Sequence, residues 1–328
     1  MSLSNTIICS DPDLTLKPWE DVQAFFDKNL PKFIFGDCKG DLRVRVGIDA
    51  SDIIQFLRIS SKLEIDGNPQ AIDKRFSLNR KSGKKLFSSS LSIFLFSTSD
   101  RRVLHYSSEI INMFLQQFFV AVNIAMPGAL NLWYDGVSVE SEKEVLPVYF
   151  SDLFNSARYQ ADERKWPPLK QLPFGVVWSW LHDKYWYRLN VANEPWQKAS
   201  FAILRLAVRN ACQEDQVLVI ARALEALFVD GREGIGTLLK TRLQLVIGIP
   251  PTHKKWFSKF YNLRSKIAHG SSPMLKPEIK FRDCSYVNNL LESYFEPIDT
   301  ATAVLLSVLQ DLTQHGIYSY QFEQTLKR

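Results

Sequence analysis

The chain has 328 residues, of which 46% are hydrophobic and 23% charged, and its formal net charge is +5. These proportions are typical of a globular protein and exclude intrinsic disorder and fibrous or low-complexity classes. At about 100 to 200 residues per domain, the length predicts two domains or one large one. The mild positive charge permits an anionic partner without requiring one.

Cysteine usage and the first residues of the chain favour a cytoplasmic protein. The four cysteines are scattered and form neither a CxxC pair nor a Cys/His cluster with zinc-site spacing, so we expect free thiols in a reducing compartment. The first residues lack the positive segment and apolar run of a signal peptide. The most apolar region, 110–134, is broken by polar residues and Pro127, and it predicts a buried helix followed by a strand, with no membrane span.

The first half of the chain, residues 1–158, predicts an α+β domain. Residues 41–49 alternate charged and apolar side chains as a half-buried strand does, and residues 91–96 form a short apolar strand. Residues 109–126 are long enough for a helix. Residues 129–139 predict two further strands.

Two polar features accompany these elements. Asp135 and Gly136 form a typical hairpin turn signal between the two strands of 129–139. Residues 74–85 hold six basic side chains and no acidic one. Such a stretch suits contacts with phosphate, but we favour the interpretation that it is a solvated hairpin loop.

Residues 159–173 are predicted to be a linker, because the stretch is polar, contains three prolines and has no helical periodicity. From residue 174 to 328 the pattern becomes helical, and an all-α bundle is expected. The predicted helices are 195–212, 215–228, 235–247, 254–269 and 286–312, and Pro297 should kink or split the last of them.

Five Trp and Tyr residues crowd the segment 176–189 at the start of this half. They could stack on nucleic-acid bases. We favour the interpretation that they anchor the first helix of the bundle in an apolar core.

The strongest candidate site lies at the end of the helix 254–269, where Arg264 precedes His269 by five residues. Imidazole can take and give a proton near neutral pH, and guanidinium offers planar donors that suit a phosphate. Asn262, Ser265 and Lys266 share the helical face of His269, whereas Arg264 lies about 140° away. One site containing both would need the long Arg264 side chain to reach round the helix, a frayed last turn, or a second copy of the helix, which a two-fold dimer would supply.

The charge around this pair favours an anionic ligand. Residues 201–270 contain 11 Lys and Arg residues and 5 Asp and Glu residues. The formal charge of this region, 11 − 5 = +6, is therefore one unit larger than the +5 of the entire chain, and the rest of the chain is about neutral.

The residues on two of these helices resemble the Apea-like branch of the HEPN superfamily. The resemblance is carried by RALEALF at 222–228 and LRSKIAHG at 263–270, is strongest over 214–273 and covers about the last 150 residues. It implies a HEPN-type helical bundle that is usually dimeric and is often a metal-independent endoribonuclease of a bacterial toxin or phage-defence system. The family signature, Arg followed after four to six residues by His, matches Arg264 and His269.

The resemblance also implies roles for neighbouring residues. Glu225 falls where this branch tends to carry an acidic residue on an earlier helix. Active members commonly have Asn, Asp or His directly after the arginine, whereas this chain has Ser265. We therefore predict Arg264 and His269 as catalytic residues, with no metal or cofactor. The predicted substrate-binding residues are Asn262, Ser265, Lys266 and Glu225.

Three functions follow from this pattern and are distinguishable. The first is an endoribonuclease in which the RNA 2′-hydroxyl attacks the adjacent phosphorus, with the α+β half as a sensor or regulatory domain and with a regulatory partner protein. The second is a non-catalytic module that binds RNA or a nucleotide and signals by dimerisation. The third is a structural protein whose bundle only dimerises.

Overall fold

The computed structural model describes residues 2–7, 12–37, 40–55, 57–58, 89–96, 101–129, 132–139, 142–146, 153–208, 213–231, 234–273 and 285–322. The basic stretch 74–85 and the four cysteines, Cys9, Cys38, Cys212 and Cys284, lie outside these residues. The expectations made for them therefore stay predictions.

Six strands of the first half form one antiparallel sheet in the order β2-β3-β4-β1-β5-β6. Their bounds are β1 Ser2–Ile7, β2 Lys32–Asp37, β3 Gly40–Asp49, β4 Ser89–Phe96, β5 Leu132–Val139 and β6 Glu142–Leu146. The predicted strands at 41–49 and 91–96 are confirmed as β3 and β4. Within β3, alternate side chains are buried, as period-two burial requires: Leu42, Val44, Val46 and Ile48.

The turn predicted at Asp135 and Gly136 is wrong, because both residues lie inside β5. On one side β5 pairs with β1, and the register shifts there: Asn5 lies opposite Tyr134, but Leu3 lies opposite Val137. One extra residue of β5 is thus accommodated around Asp135 and Gly136. The Asp-Gly pair therefore marks an irregularity within a strand. Glycine inside a strand often accompanies such a β-bulge.

Ten helices cover most of the rest of the described chain. Their bounds are α1 Pro12–Lys28, α2 Arg101–His105, α3 Ser107–Ala125, α4 Leu153–Arg164, α5 Phe174–Asp183, α6 Pro195–Val208, α7 Gln213–Phe228, α8 Ile235–Ile247, α9 Trp256–Ala268 and α10 Ser285–His315. A short helical segment also occupies 51–55, and a single 3-10 turn follows α5 at Trp186–Arg188. The helical pattern predicted for the second half is confirmed. For the helix 235–247, both predicted ends agree with the bounds of α8.

One expectation about helix interruption needs correction, and one of two alternatives for another is excluded. The linker predicted at 159–173 is helical in its first part, because α4 continues to Arg164. The buried face of α4 is partly made of Ala157 and Ala161, which carry a weak amphipathic signal, and it packs on α10. The alternative that Pro297 splits α10 is excluded, since the helix runs through that residue. The alternative of a kink stays a prediction.

The core is built around two central helices, one from each half of the sequence. Residues 117–125 of α3 and 301–310 of α10 are buried on every side. The two helices contact each other, and one continuous hydrophobic cluster includes side chains from α1, α3, β3 and α5 to α10. Helices that are buried on every side belong in the centre of a domain.

Polar contacts also join the two halves. The Phe174 N–H at the start of α5 donates to Asp21 Oδ2 of α1 at 2.6 Å. The buried Gln310 amide of α10 donates to the carbonyls of Ile124 and Lys170 at 2.8 and 2.7 Å and accepts from the Lys170 N–H at 3.0 Å. These bonds satisfy backbone groups at the places where helices and connections meet.

The aromatic segment 176–189 is part of this core. The side chains of Trp178, Trp180, Trp186 and Tyr187 are buried, whereas Tyr185 is exposed. The interpretation as an apolar anchor of the first bundle helix is confirmed for the four buried residues and is wrong for Tyr185. The described helices include none that is both long enough and apolar enough to cross a bilayer.

His182 makes the stability of this core sensitive to pH. Its ring stacks against Tyr187 at 5.1 Å, and burial lowers its pKa, although Asp183 acts in the opposite direction. The folded protein therefore disfavours protonated His182, and stability is lost as pH falls below the ordinary histidine pKa of about 6.5. We expect His182→Phe to flatten the decline of the melting temperature between about pH 7 and pH 5. An unchanged decline in this variant would contradict the assignment.

Candidate functional site

The helix α9 presents the predicted catalytic pair at and near its C-terminal end. Trp256, Phe257 and Phe260 bury one face of α9 against the core. The other face is open to solvent. The apolar stripe thus fixes the orientation of the helix, and the polar residues of its last two turns face outwards.

The end of α9 has the geometry of a Schellman motif. Gly270 has a φ of +68°, its N–H donates to the Ile267 carbonyl at 3.1 Å, and the Ser271 N–H donates to the Lys266 carbonyl at 2.9 Å. This left-handed position is one that glycine adopts without a Cβ penalty. The motif places His269 as the last residue before the chain turns.

Arg264 forms an ion pair with Glu225 across two helices. Its Nη2 lies 3.0 Å from Glu225 Oε1 and 3.3 Å from Oε2, and the two side chains are 27% and 22% exposed. Both contacts use the same guanidinium nitrogen. The other guanidinium N–H groups have no hydrogen bond to another described residue and remain available to a ligand.

Tyr261 completes this cluster and was not predicted from the sequence. Its hydroxyl donates to Glu225 Oε1 at 3.3 Å, and the guanidinium carbon of Arg264 lies 5.5 Å from the centre of its ring. Burial and the negative charge of Glu225 raise the pKa of Tyr261, against the effect of Arg264. Tyr261 therefore stays a protonated donor. The spacing of three residues between Tyr261 and Arg264 was the signal that could have identified it.

The ring of Tyr261 is itself held in place by two neighbours. Phe257 stacks on it with 5.5 Å between ring centres and an interplanar angle of 11°. A Cβ on Gly236 of α8 would meet the same ring at 3.1 Å. The packing of α8 against Tyr261 thus depends on a residue without a side chain at this position.

The remaining predicted residues lie on the exposed end of α9. Asn262, Lys266 and His269 are exposed, and Ser265 is half-buried. Within the described residues, none of these four side chains has a hydrogen bond or ion pair. The structure therefore joins Glu225 to Arg264 through a direct contact, and it joins His269 to neither of them.

The chain that follows His269 is tied to α10. Ser272 shares a 2.7 Å hydrogen bond with the hydroxyl of Tyr294, whose side chain is fully buried. The Ser271 hydroxyl donates to the Lys266 carbonyl at 3.2 Å. The turn carrying His269 is thus fixed on both sides, while the imidazole itself is in solvent.

Replacement of Gly270 is expected to disturb this turn. Because its φ is positive, Gly270→Ala should destabilise the protein by about 1–2 kcal/mol, measured by chemical denaturation. Gly231→Ala is a matched control, since Gly231 is exposed and has open space around it. It should change the stability by no more than about 0.5 kcal/mol. Equal losses of stability in the two variants would show that the positive φ of Gly270 is not the cause of the destabilisation.

Comparisons with known proteins found no relative of this chain. No protein-family model, curated protein or solved structure matches the chain.

Proposed function

We propose that this protein is a metal-independent endoribonuclease of the HEPN type that acts in a toxin or phage-defence system. The observation that carries the proposal is the arrangement at the end of α9. There Arg264 is held at the surface by Glu225, and His269 is exposed one turn further on. Both side chains are accessible to an RNA phosphodiester.

The chemistry of metal-free RNA cleavage requires three groups. A base removes the proton of the 2′-hydroxyl, an acid protonates the leaving 5′-oxygen, and a cation stabilises the charged phosphorane. His269 supplies the proton-transfer group, and the unoccupied N–H groups of Arg264 supply the cationic donors. The ion pair with Glu225 restricts the rotamers of Arg264 before substrate arrives, which lowers the entropic cost of binding.

The proposed site is completed by dimerisation. One imidazole cannot act at both the attacking and the leaving oxygen at the same moment when these lie on opposite sides of phosphorus. A two-fold dimer would bring two copies of His269 and two copies of Arg264 around one axis, so that one imidazole acts as base and the other as acid.

The proposal is tested with purified protein and single-stranded RNA in the presence of EDTA. We expect cleavage products that end in a 2′,3′-cyclic phosphate and a 5′-hydroxyl, identified by mass spectrometry. DNA of the same sequence should remain intact because it lacks the nucleophile. Cleavage that appears only after a divalent metal is added, or cleavage of the DNA, would refute the mechanism.

A non-catalytic RNA-binding module is the second candidate. Ser265, which follows the arginine, favours it. This function would give RNA binding that weakens steeply with salt and yields no cleavage product at any pH.

A further inference from the structure

We propose that the outer face of strands β2, β3 and β4 binds single-stranded RNA and holds it as the substrate of the proposed nuclease. The inner face of these strands belongs to the hydrophobic core through side chains such as Val46, Ile48 and Ile93. The outer face instead carries exposed cations and two exposed aromatic rings. The choice of RNA rests on the proposed function, but the surface itself contains neither Arg264 nor His269.

The first observation is a pair of exposed phenylalanines on β4. Phe94 and Phe96 are 46% and 50% exposed, and their ring centres lie 6.4 Å apart. That separation is close to twice the step of about 3.4 Å between neighbouring bases of a duplex strand. Two successive bases of an extended single strand can therefore each cover one ring, as they do on the stacking surfaces of proteins that bind single strands.

Gly47 of β3 makes room for one of these rings. It lies opposite Phe94, and a Cβ at this position would meet Phe96 Cε2 at 3.1 Å and Leu30 Cδ2 at 3.4 Å. The ring of Phe96 thus rests on β3, in space that a side chain at position 47 would fill. Because the ring does not project from the sheet, it suits stacking on a base better than insertion about 5–10 Å into a lipid bilayer.

The second observation is a group of cations beside the rings. Lys32, Arg45 and Phe96 lie opposite one another on three neighbouring strands, and Arg43 follows on the same face of β3. The three cations are exposed, and none has a hydrogen bond or ion pair with another described residue. Like charges directly opposite each other on a sheet are unfavourable. A phosphate group bound between Lys32 and Arg45 would relieve this repulsion.

The acidic residues of β3 do not neutralise these cations. Asp41 and Asp49 lie at the two ends of the strand. Asp41 Oδ1 is 3.6 Å from Arg188 Nη2, and Asp49 Oδ1 accepts a 2.9 Å hydrogen bond from the Ser51 N–H. The centre of the face therefore combines positive charge with an aromatic strip. A single-stranded nucleic acid fits both, since its phosphates bind cations and its bases stack on rings.

The experiment measures binding of a twelve-nucleotide 2′-O-methyl oligouridylate to the full chain by fluorescence anisotropy in EDTA. Phe94→Ala/Phe96→Ala should weaken binding at least about tenfold, because the bases lose their stacking partners. Phe94→Tyr/Phe96→Tyr keeps both rings and should bind as the unmodified protein does. Tyr159→Ala, which removes an exposed ring of α4, is the matched control and should also leave binding unchanged.

The cations are tested through the salt dependence of the same binding. Arg43→Gln/Arg45→Gln should reduce the slope of log affinity against log salt concentration by about 1.4, because each phosphate contact contributes about 0.7 for a single strand. Lys17→Gln/Lys240→Gln removes the same charge from exposed positions of α1 and α8 and should leave the slope unchanged. A 2′-O-methyl duplex of the same length should bind at least about tenfold more weakly, since its paired bases cannot cover the rings.

Several outcomes would overturn the proposal. They are unchanged affinity in Phe94→Ala/Phe96→Ala, an equal loss in Tyr159→Ala, an unchanged salt slope in Arg43→Gln/Arg45→Gln, and equal affinity for the duplex. Binding to phosphatidylserine vesicles that the two alanines abolish, without binding to RNA, would assign the face to a membrane instead. Because the substituted side chains are exposed, the variants are expected to fold, and circular dichroism and the melting temperature check this.

Failure of this proposal is distinguishable from failure of the proposed function. The probe cannot be cleaved by its own 2′-oxygen, so its binding is measured whether or not the protein is a nuclease. Where cleavable RNA is cut, Phe94→Ala/Phe96→Ala should raise KM at least about tenfold and leave kcat unchanged, because the reacting groups are intact. A lower kcat at an unchanged KM would overturn the substrate-holding role and leave the nuclease in place.

Discussion

His269→Ala is expected to lower the rate of RNA cleavage by at least about 100-fold, because a positioned proton-transfer group contributes 10²- to 10⁴-fold. In the proposed dimer the substitution removes both imidazoles, and the 2′-hydroxyl must then lose its proton to water. The fold should be unaffected, since the His269 side chain is exposed and has no hydrogen bond among the described residues. The measurement is the initial rate on a labelled single-stranded RNA in EDTA.

The chain offers a matched control for this substitution. His315 also lies at the C-terminal end of a helix, α10, is exposed, and precedes a glycine with positive φ, Gly316. Its contact is with Asp311, and nothing assigns it to the site. His315→Ala should therefore cleave RNA at the unmodified rate. An unchanged rate for His269→Ala, or equal losses in the two variants, would contradict the catalytic role.

Gln310→Leu is expected to destabilise the protein by about 1–3 kcal/mol, because it leaves one buried and two partly buried backbone groups without their side-chain partner. The amide of Gln310 bonds to the carbonyls of Ile124 and Lys170 and to the Lys170 N–H, and leucine has a similar size but no polar atom. The free energy of unfolding, measured in urea, tests the expectation.

Gln314, one turn further along α10, provides the comparison. Its amide oxygen accepts a 3.2 Å hydrogen bond from Lys170 Nζ at the exposed surface. Water replaces such a bond, so Gln314→Leu should change the stability by no more than about 0.5 kcal/mol. If both variants lost the same stability, the buried amide would not be the cause.

Much of the fold follows from local patterns. The alternation in β3 and the helical period of 235–247 appear in the structure with nearly the predicted bounds. Other features depend on contacts with distant residues. The strand β5 passes through its Asp-Gly pair because β1 lies alongside it, and α4 forms over a stretch that looks like a linker because α10 covers its alanines.

In the candidate site, too, some features follow from local sequence patterns and others depend on contacts between distant residues. Arg264 and His269 could be located from their spacing and from the resemblance of their surroundings to a family. The ion pair of Arg264 with Glu225 spans 39 residues of sequence, and spacing alone does not predict it. Tyr261 was missed because its role arises from contacts on three helices, namely Glu225 of α7, Gly236 of α8 and Phe257 of its own helix.

The pairing of α3 with α10 at the centre of the molecule has a consequence for evolution and engineering. Each of these helices is the hydrophobic partner of elements encoded in the other half of the chain. Expression of residues 174–328 alone would strip the covering from a long apolar helix, and the fragment would aggregate. We therefore expect deletion or exchange of one half at this boundary to be poorly tolerated, because the buried surface of each central helix is covered in part by the other half.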